Sequence, residues 1–103
     1  WDMIFSDGSG EERDTSAAAI AVCGILEMNK YCPNEKYMNV ADSIMNSLIQ
    51  KYDISEKEGV NGLLSDSMYS KPAGDKPEAN TWGDYFYMEA LMRYYNPSWN
   101  IYW

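Results

Sequence analysis

A chain of 103 residues, 46% of them hydrophobic, is long enough to bury one core and has the composition of a folded protein. Eight Lys and Arg against sixteen Asp and Glu give a formal net charge of −8, which disfavours nucleic acid and anionic membranes as partners. With no His and two Cys, the chain is expected to carry no metal, no cofactor and no disulfide framework. Aromatic residues reach 15%, and two explanations stay open: an aromatic core or interface, and a cleft that stacks on sugars.

A small and apolar run at 17–28 predicts the first helix. Asp14 or Thr15 can cap its N-terminus, because both side chains accept hydrogen bonds from free amides. Nearly every face of the run is apolar, so the helix is expected inside the fold. Asp14 is interpreted as a cap rather than a ligand contact, whereas Arg13 beside it could fix a loop or meet a carboxylate.

The segment that follows Pro33 predicts a second helix with two different faces. Polar residues occupy one face. The other carries apolar residues at helical spacing: Tyr37, Ala41, Ile44, Met45, Leu48, Ile49 and Tyr52. This pattern is typical of a surface helix. An inner helix followed by an outer one suits an α/α barrel, although periodicity alone equally supports a small helical bundle.

No helical period holds at 53–79, where Gly and Pro recur. A connection of this length in a compact domain is usually functional or disordered. The piece at 62–64 could be extended and dip toward a cleft. The piece at 65–71 presents hydroxyls, a phenol and an ammonium group, which either a polar surface turn or a ligand-binding loop explains.

The last helix is predicted to begin at Trp82. Thr81 and Asp84 have the spacing of a capping box, in which the carboxylate reaches back to free amides. The following positions are nearly all apolar or aromatic, which indicates a helix packed on most sides. Glu89 and Arg93 break this run, four residues apart and in the favourable order for an ion pair. An Asn-Pro pair then ends the helix.

Three motifs occur in order along the chain: Arg-Asp-Thr-Ser-Ala at 13–17, Gly-Leu-Leu at 62–64 leading to Tyr69, and the run 81–93 with closing aromatics at 99–103. Together they resemble the unsaturated glucuronyl hydrolases, family 88 of the glycoside hydrolases, whose members are α/α barrels of twelve helices. The resemblance implies an all-α fold in which residues 1–103 are the C-terminal part of one (α/α)6 barrel domain. The chain has room for about three of the helices.

The resemblance implies an enzyme that removes unsaturated uronic acid from the non-reducing end of lyase-generated oligosaccharides. Such enzymes hydrate the C4=C5 double bond and need no attack at the anomeric carbon. Family members use two aspartates from earlier helices, so no catalytic residue is assigned here and the segment alone is expected to be inactive. Asp14 and Asp84 are interpreted as caps. The alternative is a stand-alone helical module that binds carbohydrate or protein without catalysis.

In the family, the loop tyrosine lies against the substrate, and two serines three apart followed by a lysine accompany the acceptance of sulfated sugars. Ser67, Ser70 and Lys71 approximate that pattern and are expected to converge on one oxyanion of a sulfated glycosaminoglycan product. Trp82 is expected at the barrel mouth, where it stacks on a sugar or holds the loop, with core packing as an equal alternative. The predicted substrate-binding set is Ser67, Tyr69, Ser70, Lys71, Trp82 and Arg13.

The expected partners are an unsaturated oligosaccharide and either the missing N-terminal part of the barrel or a second copy. Three helices taken from a closed barrel would expose apolar faces that a monomer seldom tolerates. No signal peptide precedes the first motif, yet the chain does not begin with Met. The compartment is therefore left open between the bacterial periplasm and cytoplasm.

Overall fold

A computed structural model describes residues 6 and 8–103, so the apolar lead-in noted at 1–5 lies outside the described residues. The described part contains three α-helices: α1 (Thr15–Tyr31), α2 (Glu35–Lys51) and α3 (Thr81–Tyr95). None of them is long and apolar enough to cross a membrane. The first helix packs against both of the others and is therefore the central element, as its apolar composition predicted.

Side chains cap the first two helices, and Asp14 is one of the two caps predicted for the first. The side chain of Asp14 accepts a hydrogen bond from the Ser16 amide at 3.0 Å, and that of Asn34 accepts one from the Lys36 amide at 2.9 Å. These bonds satisfy amides that the first turn of a helix leaves without a partner. The interpretation of Asp14 as a helix cap is confirmed.

The third helix starts one residue earlier than predicted, because Asn80 and not Thr81 caps it. The Asn80 side-chain oxygen accepts a hydrogen bond from the Gly83 amide at 2.8 Å. Gly83 lies in a tight position: a Cβ there would be 2.7 Å from the Ser67 hydroxyl oxygen and 3.2 Å from the Ser16 Cβ. Only glycine lets the start of α3 approach both neighbours.

The hydrophobic core lies where α1 faces the other two helices and the connection between them. Small residues of α1 permit close approach, and larger side chains from α2 and α3 fill the space. Leu64 is fully buried although it lies in the long connection, so part of that connection belongs to the core. The buried cluster consists of Ala19, Val22, Cys23, Ala41, Met45, Leu48, Leu64, Tyr87 and Ala90.

A buried ion-pair cluster joins α1 to α3. Arg93, only 4% exposed, donates Nε to Glu89 Oε1 at 2.8 Å and Nη1 to Glu27 Oε2 at 2.6 Å. Glu89 accepts a further hydrogen bond from Trp103 Nε1 at 2.9 Å. Hydrogen bonds from Arg93 and Lys30 hold the pKa of Glu27 below its ordinary value. The predicted pair of Glu89 and Arg93 is confirmed, and α1 adds a second carboxylate to it.

Substituting Arg93→Met should lower the free energy of unfolding of the 103-residue chain by about 3–5 kcal/mol, because the buried Glu89 carboxylate loses its cation. Lys30→Met is the matched control, since it removes a partly exposed partner of Glu27, and its cost should stay below about 1 kcal/mol. Urea unfolding followed by tryptophan fluorescence measures both. Equal and small costs would show that the buried pair contributes no more than a surface pair.

Candidate functional site

The long connection between α2 and α3 returns to the helices in its middle. Two isolated antiparallel bridges, Asp53 with Leu64 and Ser67 with Glu78, divide it into excursions at 54–63 and 68–77. A short 3-10 turn, Lys71–Ala73, lies in the second excursion. Of the extended piece predicted at 62–64, only Leu64 forms a bridge, and Leu63 lies in a bend. Because the stretch between the two bridges is fixed to the core, both excursions start and end at defined points.

Asp84 holds the first excursion against α3. Its Oδ1 accepts hydrogen bonds from the Leu63 amide at 2.9 Å and the Leu64 amide at 3.1 Å. The sequence predicted that this carboxylate would cap its own helix, and that prediction is wrong because another side chain already caps α3. Gly62 makes the approach possible, since a Cβ at this position would collide with the Ala79 Cβ.

One turn further along α3, Tyr87 fixes the start of the same connection. Its ring is buried and its hydroxyl donates to Asp53 Oδ2 at 2.6 Å. Burial opposes the ionisation of Asp53, but hydrogen bonds from Ser55 and Tyr87 outweigh it and lower the pKa of this carboxyl. Burial and the bond to Asp53 raise the pKa of Tyr87 above its ordinary value. A neutral phenol and a carboxylate thus face each other at neutral pH.

Tyr69 and Trp82 lie side by side at the edge of a cleft. Their ring centroids are 5.5 Å apart with the planes tilted by 50°, and the side chains are 75% and 39% exposed. Trp82 is not among the buried core residues. The cleft has a volume of about 350 Å³, and its other lining residues are polar: Ser67, Asp75, Lys76, Glu78 and Asn80. Aromatic rings beside several hydrogen-bonding groups offer a stacking surface and polar partners in one cleft.

The other predicted substrate-binding residues are placed differently from one another. Ser67 is only 1% exposed, and its hydroxyl oxygen lies 2.9 Å from that of Thr15. Ser70 is half-buried just before the 3-10 turn, and the side chain of Lys71 lies outside the described part of the chain. Arg13 lines a second cleft of about 380 Å³ between the stretch at 9–15 and α2. Of the predicted set, the structure brings the two aromatic residues into direct contact.

Thr15 is a binding partner of the loop that sequence reasoning missed. Its hydroxyl donates to the Ser65 carbonyl at 2.6 Å, and its amide donates to the Asp66 carbonyl at 3.1 Å. Asp66 has a φ of 58°, in the left-handed region that Asp tolerates better than most residues. The sequence did hold a signal for this contact. Asp14 is the stronger cap of α1, so the hydroxyl of the adjacent Thr15 is not needed as a cap and can bond to another segment. Among the described residues, no group of acidic or sulfur ligands is suited to a metal ion.

Comparison with known proteins shows relatives along the whole chain, although no protein-family model matches it. All of the chain is 47% identical to part of an unsaturated chondroitin disaccharide hydrolase of Streptococcus agalactiae. An unsaturated glucuronyl hydrolase of Formosa agariphila is 34% identical over 93% of the chain. These matches take up 27% and 24% of the two relatives, so the chain spans about a quarter of the length of the curated proteins it matches.

Solved structures agree with these matches. The crystal structure of unsaturated glucuronyl hydrolase from Streptococcus agalactiae has a TM-score of 0.89 at 46% identity, over all of this chain and 27% of that one. A mutant of that enzyme complexed with dGlcA-GalNAc6S gives 0.90 over all of this chain and 29% of its own. The enzyme from Bacillus sp. GL1 gives 0.82 at 28% identity, over 94% of this chain and 27% of its own. The predicted fold class is confirmed: the described residues have the helical fold of a segment of this (α/α)6 barrel.

Proposed function

We propose that this chain, which is homologous along its full length to a segment of the unsaturated glucuronyl hydrolases, is the C-terminal part of the single barrel domain of such an enzyme. The complete enzyme removes unsaturated uronic acid from the non-reducing end of lyase-generated oligosaccharides by adding water across the C4=C5 double bond. Its proposed substrates come from sulfated glycosaminoglycans. The observation that carries this proposal is the match of the whole chain, in sequence and in backbone, to one enzyme class.

Within that enzyme, the segment supplies part of the barrel wall and a substrate loop. The proposal is supported by the exposed ring of Tyr69, which contacts the ring of Trp82 at a polar cleft. An aromatic ring held in this way can stack on a sugar face, while neighbouring polar groups bond to its hydroxyls. Arg13, at the other cleft, is proposed as a second contact for the oligosaccharide.

We assign no catalytic residue to this segment. Asp14 accepts main-chain hydrogen bonds at a helix start, and Asp84 does so from the long connection. A carboxylate that is occupied by main-chain amides has a structural task and is poorly placed to move protons at a substrate. The acid–base pair that hydrates the double bond is therefore expected in the rest of the enzyme.

Sulfate recognition is assigned to fewer residues than the sequence suggested. Thr15 has one hydroxyl hydrogen, and at 2.6 Å it is donated to the Ser65 carbonyl. The contact between the Thr15 and Ser67 hydroxyls at 2.9 Å is therefore donated by Ser67. Ser67 cannot donate to an oxyanion at the same time, so the expected convergence of three groups is reduced to Ser70 and Lys71.

Apolar side chains on the outer faces of the helices are proposed to be covered by the remaining helices of the barrel. Several are more than a third exposed. They are Ile20, Met28, Val40, Ile49, Met88 and Leu91. Exposed apolar surface on this scale favours association.

The 103-residue chain should therefore self-associate at micromolar concentration, or bind the complementary part of the Streptococcus agalactiae relative when the two are produced together. Light scattering and co-purification measure this, and restored turnover of an unsaturated disaccharide would show that the barrel has been completed. A monomer that unfolds cooperatively and ignores the complementary part would favour the stand-alone module instead.

The aromatic pair is tested in a chimaeric enzyme in which this chain replaces the aligned segment of the Streptococcus agalactiae relative. Tyr69→Ala and Trp82→Phe should each raise KM by about two- to tenfold with little loss of stability, because each removes stacking surface. Tyr95→Ala is the control, since Tyr95 is 86% exposed and lies at the far end of α3. Turnover is followed as loss of the ultraviolet absorbance of the unsaturated uronate. A drop in stability with unchanged KM would assign both rings to packing.

Substrate preference is tested in the same chimaeric enzyme with sulfated and unsulfated disaccharides. Ser70→Ala should lower kcat/KM on the sulfated substrate by about ten- to a hundredfold and leave the unsulfated one nearly unchanged, because one hydrogen bond to a charged group is lost. Ser67→Ala should affect both substrates equally. Equal losses from Ser70→Ala would remove the sulfate assignment.

A further inference from the structure

We propose that Asp14 and Thr15 are positioning residues for the substrate loop, a role that rests on the function proposed above. Through these two residues, the first turn of α1 holds four successive residues of the loop immediately before Tyr69. The contacts are Thr15 Oγ1 to the Ser65 carbonyl at 2.6 Å, the Thr15 amide to the Asp66 carbonyl at 3.1 Å, the Ser67 hydroxyl to Thr15 Oγ1 at 2.9 Å and the Met68 amide to Asp14 Oδ1 at 3.2 Å.

The unbroken series of contacts sets both the register and the direction of the loop. Thr15 and Ser67 are buried, so water does not compete for their hydrogen bonds. Asp66, which precedes Ser67, has a left-handed backbone conformation that turns the chain. The contacts of the neighbouring residues must hold this turn in place. Because the last fixed amide belongs to Met68, the Cα of Tyr69 is one peptide unit from a fixed point.

The first turn of α1 also constrains the position of Trp82, through α3. A Cβ on Gly83, the neighbour of Trp82, would meet both the Ser67 hydroxyl and Ser16, so the first turns of α1 and α3 enclose the loop between them. A shift of the loop away from α1 would therefore change the spacing of the Tyr69 and Trp82 rings. The geometry of the aromatic pair is thus set on α1, outside the cleft itself.

The chemistry at position 14 separates capping from positioning. Asp14 Oδ1 accepts hydrogen bonds from the Ser16 and Ala17 amides and the Ser16 hydroxyl, and it also accepts one from the Met68 amide. Serine is as good a helix cap as Asp, but its oxygen lies one bond nearer the main chain and falls short of Met68. Asn34, the cap of α2, bonds to the nearby Lys36 amide. The substitution Asn34→Ser therefore changes a cap in the same way with no loop attached.

The test uses the chimaeric enzyme defined above. Asp14→Ser should leave kcat and the melting temperature near their original values, speed hydrogen exchange at the Met68 amide by about tenfold or more, and raise KM by about three- to tenfold. Asp14→Asn, which keeps an acceptor at the same distance, should restore most of the KM. Asn34→Ser should change neither exchange at Met68 nor KM.

A second variant tests the inference in case Asp14→Ser does not fold. Thr15→Val keeps the shape of the side chain and removes the hydroxyl that contacts Ser65 and Ser67, so it should also raise KM with kcat retained. Faster exchange at Met68 together with an unchanged KM overturns the inference, as does unchanged exchange. Absence of turnover in the unsubstituted chimaeric enzyme overturns the proposed function and, with it, the link to substrate; turnover there with a wild-type KM in Asp14→Ser overturns the inference alone.

Discussion

The hydrogen bonds between the main chain at 63–68 and the first turns of α1 and α3 are the constraint on which the rest of the structure depends. A long connection without a sheet carries amides and carbonyls that must find partners before it can enter a core. Here the partners are side chains at helix starts. Asp84 accepts hydrogen bonds from the Leu63 and Leu64 amides, and Asp14 accepts one from the Met68 amide. Leu64 can therefore be fully buried, and the chain that continues from it to the cleft starts at a fixed position.

The contact between α1 and α3 divides into parts with different physical character. At one end the two first turns enclose Ser67, while further along Arg93 lies between two carboxylates. Between these parts Cys23 is buried against α3 and donates to the Phe86 carbonyl at 3.3 Å. Burial and the nearby charge of Glu89 raise the pKa of the Cys23 thiol to about 12, so it packs as a neutral side chain. Polar contacts at both ends fix how far one helix is shifted along the other. The small apolar residues between these contacts add buried apolar surface.

Local features of the fold could be predicted from the sequence, and contacts between distant segments could not. The cap Asp14 and the pair Glu89 with Arg93 depend on residues within four positions, so spacing was sufficient. Asp84 was misassigned because its carboxylate has the right spacing for its own helix, while its partners lie about twenty residues away. Nothing in the pattern ranks those two possibilities.

The candidate site shows the same limit. Ser67 lies in a polar stretch whose composition is the same whether a hydroxyl faces solvent or Thr15, which is 52 residues away. The prediction for Tyr69 and Trp82 came from resemblance to a family, because a hydrophobic period does not distinguish a stacking ring from a core ring. Contact between the two segments is a property of the folded chain, and the folded chain brings their rings together.

The pairing of Ser67 with Glu78 makes the second excursion an exchangeable unit. Its two ends are paired with each other, and Ser67 is bonded to Thr15 of α1, so the entropy of closing the loop changes slowly with its length. Residues 70–77 could be lengthened, shortened or replaced without moving a buried side chain of the core. Changes confined to this short stretch would therefore alter the cleft beside the Tyr69 and Trp82 rings, while their cost in stability stays limited to the surface.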